Sequence, residues 1–114
     1  RMRIIATRAF DRAAAKLLTV AERAAAEAAI AARPDAWPVI RGSGGARKAR
    51  IGRGGQGKRG GARVIYFFNP SPGLLAFIAL YAKNEKEDLS DADLKAIRAA
   101  IGDIRAALGN DPAR

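Results

Sequence analysis

The first third of the chain has the pattern of one strand followed by two helices. Residues 2–7 are mostly apolar and contain two neighbouring isoleucines, which is typical of a short strand. Thr7 has the side chain of a helix N-cap, and a helix is predicted after it because apolar residues recur there at helical spacing: Phe10, Ala14, Leu17 and Leu18. Thr19 and Glu22 have the spacing of a capping box, so a second, alanine-rich helix is predicted to begin there and to end before Pro34.

The remainder of the chain predicts three strands and a last helix. Residues 46–51 alternate between apolar and basic side chains, and residues 62–68 are mostly apolar; both patterns are typical of strands. Residues 74–83 form a nearly continuous apolar run. That run predicts a central strand that is buried on both faces. Ser90 and Asp93 form a capping pair for the last helix, whose apolar residues recur at spacings of three and four: Leu94, Ile97, Ile101, Ile104 and Leu108.

The order of these elements, β-α-α-β-β-β-α, predicts a small α+β fold. Short links between the last three strands favour antiparallel pairing, so we expect a mostly antiparallel sheet with the helices packed on one side. The 114 residues are enough for one domain, which we expect to span residues 1–114.

Composition narrows the possible chemistry. The chain has no cysteine and no histidine, which excludes disulfides, thiolate catalysis and the usual general base at neutral pH. We therefore expect no metal site and no cofactor. The net charge of +10 attracts nucleic acid, acidic proteins and anionic membranes. The apolar runs are too short to span a bilayer and no secretory signal is evident, so we expect no membrane partner and a cytoplasmic location.

The positive charge is concentrated in one segment. Residues 41–63 contain eight lysines and arginines, no acidic residue, and nine of the twelve glycines. The glycine-rich loop at 52–61 is not a nucleotide P-loop, because Lys58 is followed by Arg59 and a strand comes next. Three interpretations remain open: a solvated loop, a phosphate-binding surface, or a catalytic surface that cleaves RNA.

RNA cleavage without histidine is chemically possible for this pattern. The alternation of a strand places Lys48 and Arg50 on one face and Arg47 on the other, and Arg63 lies on the next strand. A lysine crowded by cations can act as a base, and arginines can hold the charge that develops on a phosphate. Tyr66 and Tyr81 either stack on a base or pack in the core, and their apolar neighbours favour the core.

Two segments resemble one known family. They are "RGSGGARKARIGRGGQGKRGGARVIYFF" and "LYAKNEKEDLSDADLKAIRAAI", and they are similar to the RelE/ParE superfamily of bacterial toxins, in particular to its HigB-like branch. The resemblance implies a RelE-like domain that acts as the toxin of a type II toxin–antitoxin pair. Such toxins are usually ribosome-dependent mRNA endoribonucleases that cut without a metal. The implied partners are the ribosome, mRNA and a cognate antitoxin, commonly a HigA-like helix-turn-helix protein.

The resemblance also implies roles for individual residues. Lys48 matches a basic position of the second strand and is expected to be the base, while Arg50 and Arg63 are expected to hold the phosphate charge. Glu85 and Tyr66 are expected auxiliary residues. The residues expected to contact RNA are basic ones around this set: Arg47, Arg53, Lys58, Arg59 and Lys83.

Two other functions remain as alternatives. ParE-like relatives share the fold but block DNA gyrase without nuclease chemistry, and a plain nucleic-acid-binding module would need only the positive charge. The concentration of cations on two neighbouring strands favours the nuclease over both.

Overall fold

Seven elements follow one another in the predicted order. The computed structural model describes residues 2–54, 61–86 and 88–109. Its elements are β1 (Arg3–Ala6), α1 (Arg8–Leu17), α2 (Val20–Ala32), β2 (Arg47–Ile51), β3 (Ala62–Asn69), β4 (Leu74–Ala82) and α3 (Asp91–Gly109). The fold is α+β as predicted, and no helix among the described residues is long and apolar enough to cross a membrane.

The four strands form one sheet in the order β1-β4-β3-β2. The pairs β2–β3 and β3–β4 are antiparallel, which confirms the predicted arrangement of the last three strands, and β1 pairs with β4 in parallel. Strand β4 therefore has a neighbour on each side, and almost all of its residues are buried. This confirms the prediction that the apolar run at 74–83 is a central strand.

Helices cover both faces of the sheet, so the prediction that they pack on one side is wrong for α3. Helices α1 and α2 pack on one face, where Phe10 and Ile30 join a cluster with Phe77 of β4. Helix α3 packs on the other face, where Ile97 joins a cluster with Ile78 of the same strand. The physical reason is that β3 and β4 are apolar on both faces, and each face needs a cover. We call these surfaces the α1/α2 face and the α3 face.

A bulge interrupts the register between β3 and β4. Ile65 pairs with Ala79 but Tyr66 pairs with Phe77, so Ile78 is an extra residue in β4. Thr7, the N-cap of α1, donates from its hydroxyl to the Ile78 carbonyl at 2.6 Å. The start of α1 thus satisfies a carbonyl of the bulge.

A tight loop leads into β2 along the side of α3. Ser43 is fully buried; its hydroxyl donates to the Ile40 carbonyl at 2.6 Å and accepts from the Ala46 amide at 2.9 Å. Gly44 and Gly45 have φ values of 80° and 112°, which side chains rarely adopt. The loop at 42–45 can therefore turn sharply and lie against α3.

Candidate nucleic-acid interface

The strand pairing brings the three expected catalytic residues onto one face. Arg50 lies directly opposite Arg63 across the β2–β3 pair, and Lys48 lies opposite Ile65, two residues along. Ile65 belongs to the cluster beneath α3, so these three positions of the strands lie on the α3 face. Their shared face confirms the expected alternation. The guanidinium of Arg50 reaches round the free edge of β2 to the ring of Trp37, which packs against the cluster of the other face. We call Lys48, Arg50 and Arg63 the basic strand pair.

The three side chains of the basic strand pair differ in their exposure to solvent. Arg50 is exposed, and its guanidinium lies over the Trp37 ring, 5.3 Å from the centroid. Lys48 and Arg63 are half-buried, and Arg63 Nη1 donates to the Ala62 carbonyl at 3.2 Å. Trp37 packs partly against the cluster of the α1/α2 face and also supports Arg50.

The electrostatics of this surface favour an anion. Like charges directly opposite one another on neighbouring strands are destabilising, and Arg50 and Arg63 are such a pair. Among the described residues, no carboxylate forms an ion pair with Lys48 or Arg50. Arginine side chains can bind phosphate through two parallel hydrogen bonds. The basic strand pair therefore offers a phosphate cationic donors from two neighbouring strands.

Tyr81 lies next to Arg63 on the same face. It is the partner of Arg63 across the β3–β4 pair and is 5% exposed. Its hydroxyl is buried and has no hydrogen-bond partner in the part of the chain that the structure describes. Burial raises the pKa of the Tyr81 hydroxyl, and the nearby Arg63 opposes that rise. The preference for a core position is thus confirmed for Tyr81.

Tyr66 is a core residue, which confirms the preference for the core and corrects its expected auxiliary role. It has no exposed surface and projects on the α1/α2 face, away from the basic strand pair. Its hydroxyl donates to the Pro34 carbonyl at 2.8 Å, which anchors the connector after α2. A side chain buried on the opposite face from Lys48 cannot contact RNA bound beside Lys48.

Two of the expected RNA contacts hold backbone carbonyls of the protein. Arg47 is opposite Tyr66, and its Nη1 donates to the Trp37 carbonyl at 2.5 Å and to the Asp35 carbonyl at 3.2 Å. Arg53 Nε donates to the Leu17 carbonyl at 3.3 Å, beside the junction of α1 and α2. Arg47 therefore lies away from Lys48 and Arg63, although it and Arg50 both contact Trp37. Arg53 lies beside the helices and is not brought to the basic strand pair.

The other expected site residues lie near the end of β4 or outside the described residues. Lys83 is exposed, and its amide donates to the Gly61 carbonyl at 3.1 Å, so it lies at the same end of the sheet as Arg63. Glu85 accepts through Oε1 from the Ala82 amide at 3.1 Å and closes a turn. Lys58 and Arg59 fall outside the described residues.

The match to a known family is nearly as long as the chain. Residues 2–111 match the model of the RelE toxin of the RelE / RelB toxin–antitoxin system. The chain belongs to the RelE toxin family. It is therefore the toxin of a type II toxin–antitoxin system, and membership of the RelE family implies a cognate antitoxin. The match extends well beyond residues 40–101, the part that carries the motifs, and includes β1, α1 and α2.

Two arginines of this RelE toxin were missed by the motif analysis. Arg98 and Arg105 of α3 lie beside the loop at 42–45, on the same side of the sheet as the basic strand pair. Their spacing of seven residues, which places them on one stripe of a helix, was the signal available in the sequence. Within residues 2–54, 61–86 and 88–109, no three acidic side chains gather closely enough to hold a metal ion.

Proposed function

We propose that this RelE toxin is a ribosome-dependent mRNA endoribonuclease that arrests translation in the cytoplasm. The observation that carries the proposal is the direct opposition of Arg50 and Arg63, with Lys48 beside them on the same face. RelE toxins are generally endoribonucleases, which supports the same reaction here.

The proposed reaction uses the 2′-hydroxyl of the message as the nucleophile. Lys48 accepts the proton of that hydroxyl, its oxygen bonds to the neighbouring phosphorus, and the bond to the 5′ oxygen breaks. The products are a 2′,3′-cyclic phosphate and a 5′-hydroxyl, the leaving oxygen taking its proton from water. Arg50 and Arg63 stabilise the extra negative charge on the phosphorane.

The proposed partners follow from the proposed activity and from the family. The ribosome presents the message to the α3 face, and a HigA-like helix-turn-helix antitoxin neutralises the toxin. The family match supports an antitoxin, and the HigB-like motifs at residues 47–68 support its type.

Two single substitutions test the assignment. Lys48→Ala and Arg63→Ala are expected to abolish growth arrest when each variant is expressed in bacteria. Neither side chain belongs to an apolar cluster of the core, so thermal unfolding should change only slightly. Arg12→Ala is the matched control: it removes one exposed positive charge on α1, on the opposite side of the sheet, and should leave toxicity intact.

Persistent toxicity in folded Lys48→Ala or Arg63→Ala protein would contradict the proposed catalytic set. Growth arrest by the wild-type protein with intact messages would instead favour a gyrase-blocking toxin.

A further inference from the structure

One flank of α3 carries Arg98 and Arg105, and Asp91 lies on the same stripe in the first turn of the helix. Ile97 and Ile101 face the sheet, and at 100° per residue Arg98 and Arg105 fall on one flank, only about 20° apart. That flank lies against Gly44 and Gly45, in the loop that leads into β2. The other flank carries Asp93, whose carboxylate pairs with Lys86 at 3.1 Å on the β4 side. From Arg98 onward this flank of the helix is positively charged, and it lies beside the loop that leads to the strand that carries Lys48 and Arg50.

Both arginines of this flank are held in place by the fold. Arg98 Nη1 donates to the Gly42 carbonyl at 2.6 Å, and the Arg105 guanidinium lies over the Phe67 ring, 5.0 Å from its centroid. Both residues are exposed despite these contacts. Because a guanidinium has five N–H donors, each side chain keeps donors for a ligand and loses less freedom on binding.

The flank is in line with the basic strand pair. Phe67 lies beneath Arg105, and Arg63 lies four positions before Phe67 in β3. At the rise of a strand these four positions span about 13 Å. Lys48, opposite Ile65, lies midway between them. The loop at 41–46, β2 and β3 contain no acidic residue. The cations thus follow one another along the α3 face without an intervening carboxylate from these segments.

We propose that Arg98 and Arg105 extend the basic strand pair into a track that binds the backbone of single-stranded RNA on one side of the cleaved phosphate. The inference rests on the proposed function and adds to it how the message is held. A line of about 13 Å is longer than a single phosphate group, and successive cations along a groove are how proteins follow a single strand. The track would hold the strand, while Lys48, Arg50 and Arg63 act on the phosphate that is cut.

The salt dependence of RNA binding tests the track. The probe is a short 2′-O-methyl RNA, which lacks the attacking hydroxyl, and its affinity is measured by fluorescence anisotropy across a range of salt concentrations. The logarithm of the binding constant falls linearly with the logarithm of the salt concentration. Each lost phosphate contact should reduce the steepness of this slope by about 0.7. Arg98→Gln and Arg105→Gln remove the charge but keep an amide donor. We expect each to lower the slope by about one contact and the double variant by about two.

The controls separate the track from a general loss of charge or of folding. Lys95→Gln removes one charge from the outward side of the same helix and should leave the slope unchanged. Arg105→Lys keeps the charge and should keep the slope. Melting temperatures of all variants are compared in parallel.

Each result bears on one of the two claims. An unchanged slope in the double variant, or an equal decrease in Lys95→Gln, overturns the track. If Arg50→Gln lowers the slope while the α3 variants do not, the proposed function stands and only the track fails. If the wild-type protein does not bind the free RNA, the track fails, whereas the proposed function, in which the ribosome presents the message, is decided by the toxicity of Lys48→Ala and Arg63→Ala.

Discussion

Loss of the hydroxyl group should have opposite effects at the two buried tyrosines. Tyr66 is fully buried and donates to the Pro34 carbonyl at 2.8 Å. Tyr81 is 5% exposed, and no residue that the structure describes bonds to its hydroxyl. The substitutions Tyr66→Phe and Tyr81→Phe remove the same atom from two similarly buried rings. Any difference between them therefore reports the hydrogen bond.

The expected magnitudes follow from those partners. Tyr66→Phe removes a hydrogen bond and should lower the free energy of unfolding by about 1 kcal/mol. Tyr81→Phe removes a hydroxyl that was desolvated without compensation and should raise it by about 1 kcal/mol or more. In a protein of this length, about 1 kcal/mol corresponds to about 4 °C in melting temperature. The two variants should therefore melt about 8 °C apart, on either side of the wild type.

Urea unfolding and thermal melting at neutral pH measure both variants directly. If Tyr81→Phe is as destabilising as Tyr66→Phe, the Tyr81 hydroxyl has a partner and the reasoning is refuted. A neutral Tyr66→Phe would show that the bond to Pro34 contributes nothing.

Alkaline pH gives a second test of the Tyr81 environment. Burial raises the pKa of this hydroxyl, so its titration leaves the free energy of unfolding unchanged below the ordinary tyrosine pKa of about 10. Above that pH the unfolded chain loses the proton first, and stability falls as pH rises through the raised value of the folded protein. Tyr81→Phe should therefore lose less stability than the wild type above pH ~10. Equal losses would contradict the assigned burial effect.

Helix caps give the remaining predictions. Thr7→Ala loses the bond from the Phe10 amide and the bond to the Ile78 carbonyl, so it should cost about 2 kcal/mol, whereas the exposed Thr19→Ala should cost about 1 kcal/mol. Denaturant midpoints check this, and equal costs would show that the bond to Ile78 adds nothing. The Ser90 amide, and then Lys86, lower the pKa of Asp93, so its contribution is present above the ordinary aspartate pKa and is lost as pH falls through the lowered value. Asp93→Asn should therefore be less stable than the wild type at neutral pH, and the free energies of unfolding of the two proteins should converge in acid. Parallel curves of stability against pH from pH 7 to pH 2 would exclude this.

Local patterns predicted the elements because each signal lies within a few residues. The Thr19 and Glu22 side chains form the capping box that their spacing predicts. The alternation of β2 placed Lys48 and Arg50 together, since side chains of a strand alternate whatever the strand pairs with. The apolar run at 74–83 identified β4 as central.

The pattern could not predict features that depend on distant segments. An amphipathic helix shows which of its sides is buried but not which face of the sheet it covers, so α3 was placed wrongly. The opposition of Arg50 and Arg63 required the strand register. The apolar neighbours of Tyr66 favoured the core, but they could not show that it lies on the α1/α2 face or that its hydroxyl bonds to the Pro34 carbonyl, 32 residues away.

The most direct test of the central claim is to map message ends by primer extension in bacteria that express the wild-type toxin. The account predicts new 5′ ends within translated frames. These ends should disappear when translation initiation at the mapped message is blocked, when the antitoxin from the neighbouring gene is co-expressed, and in the Lys48→Ala variant. Growth arrest with intact messages, or cuts that persist without translation, would contradict a ribosome-dependent endoribonuclease.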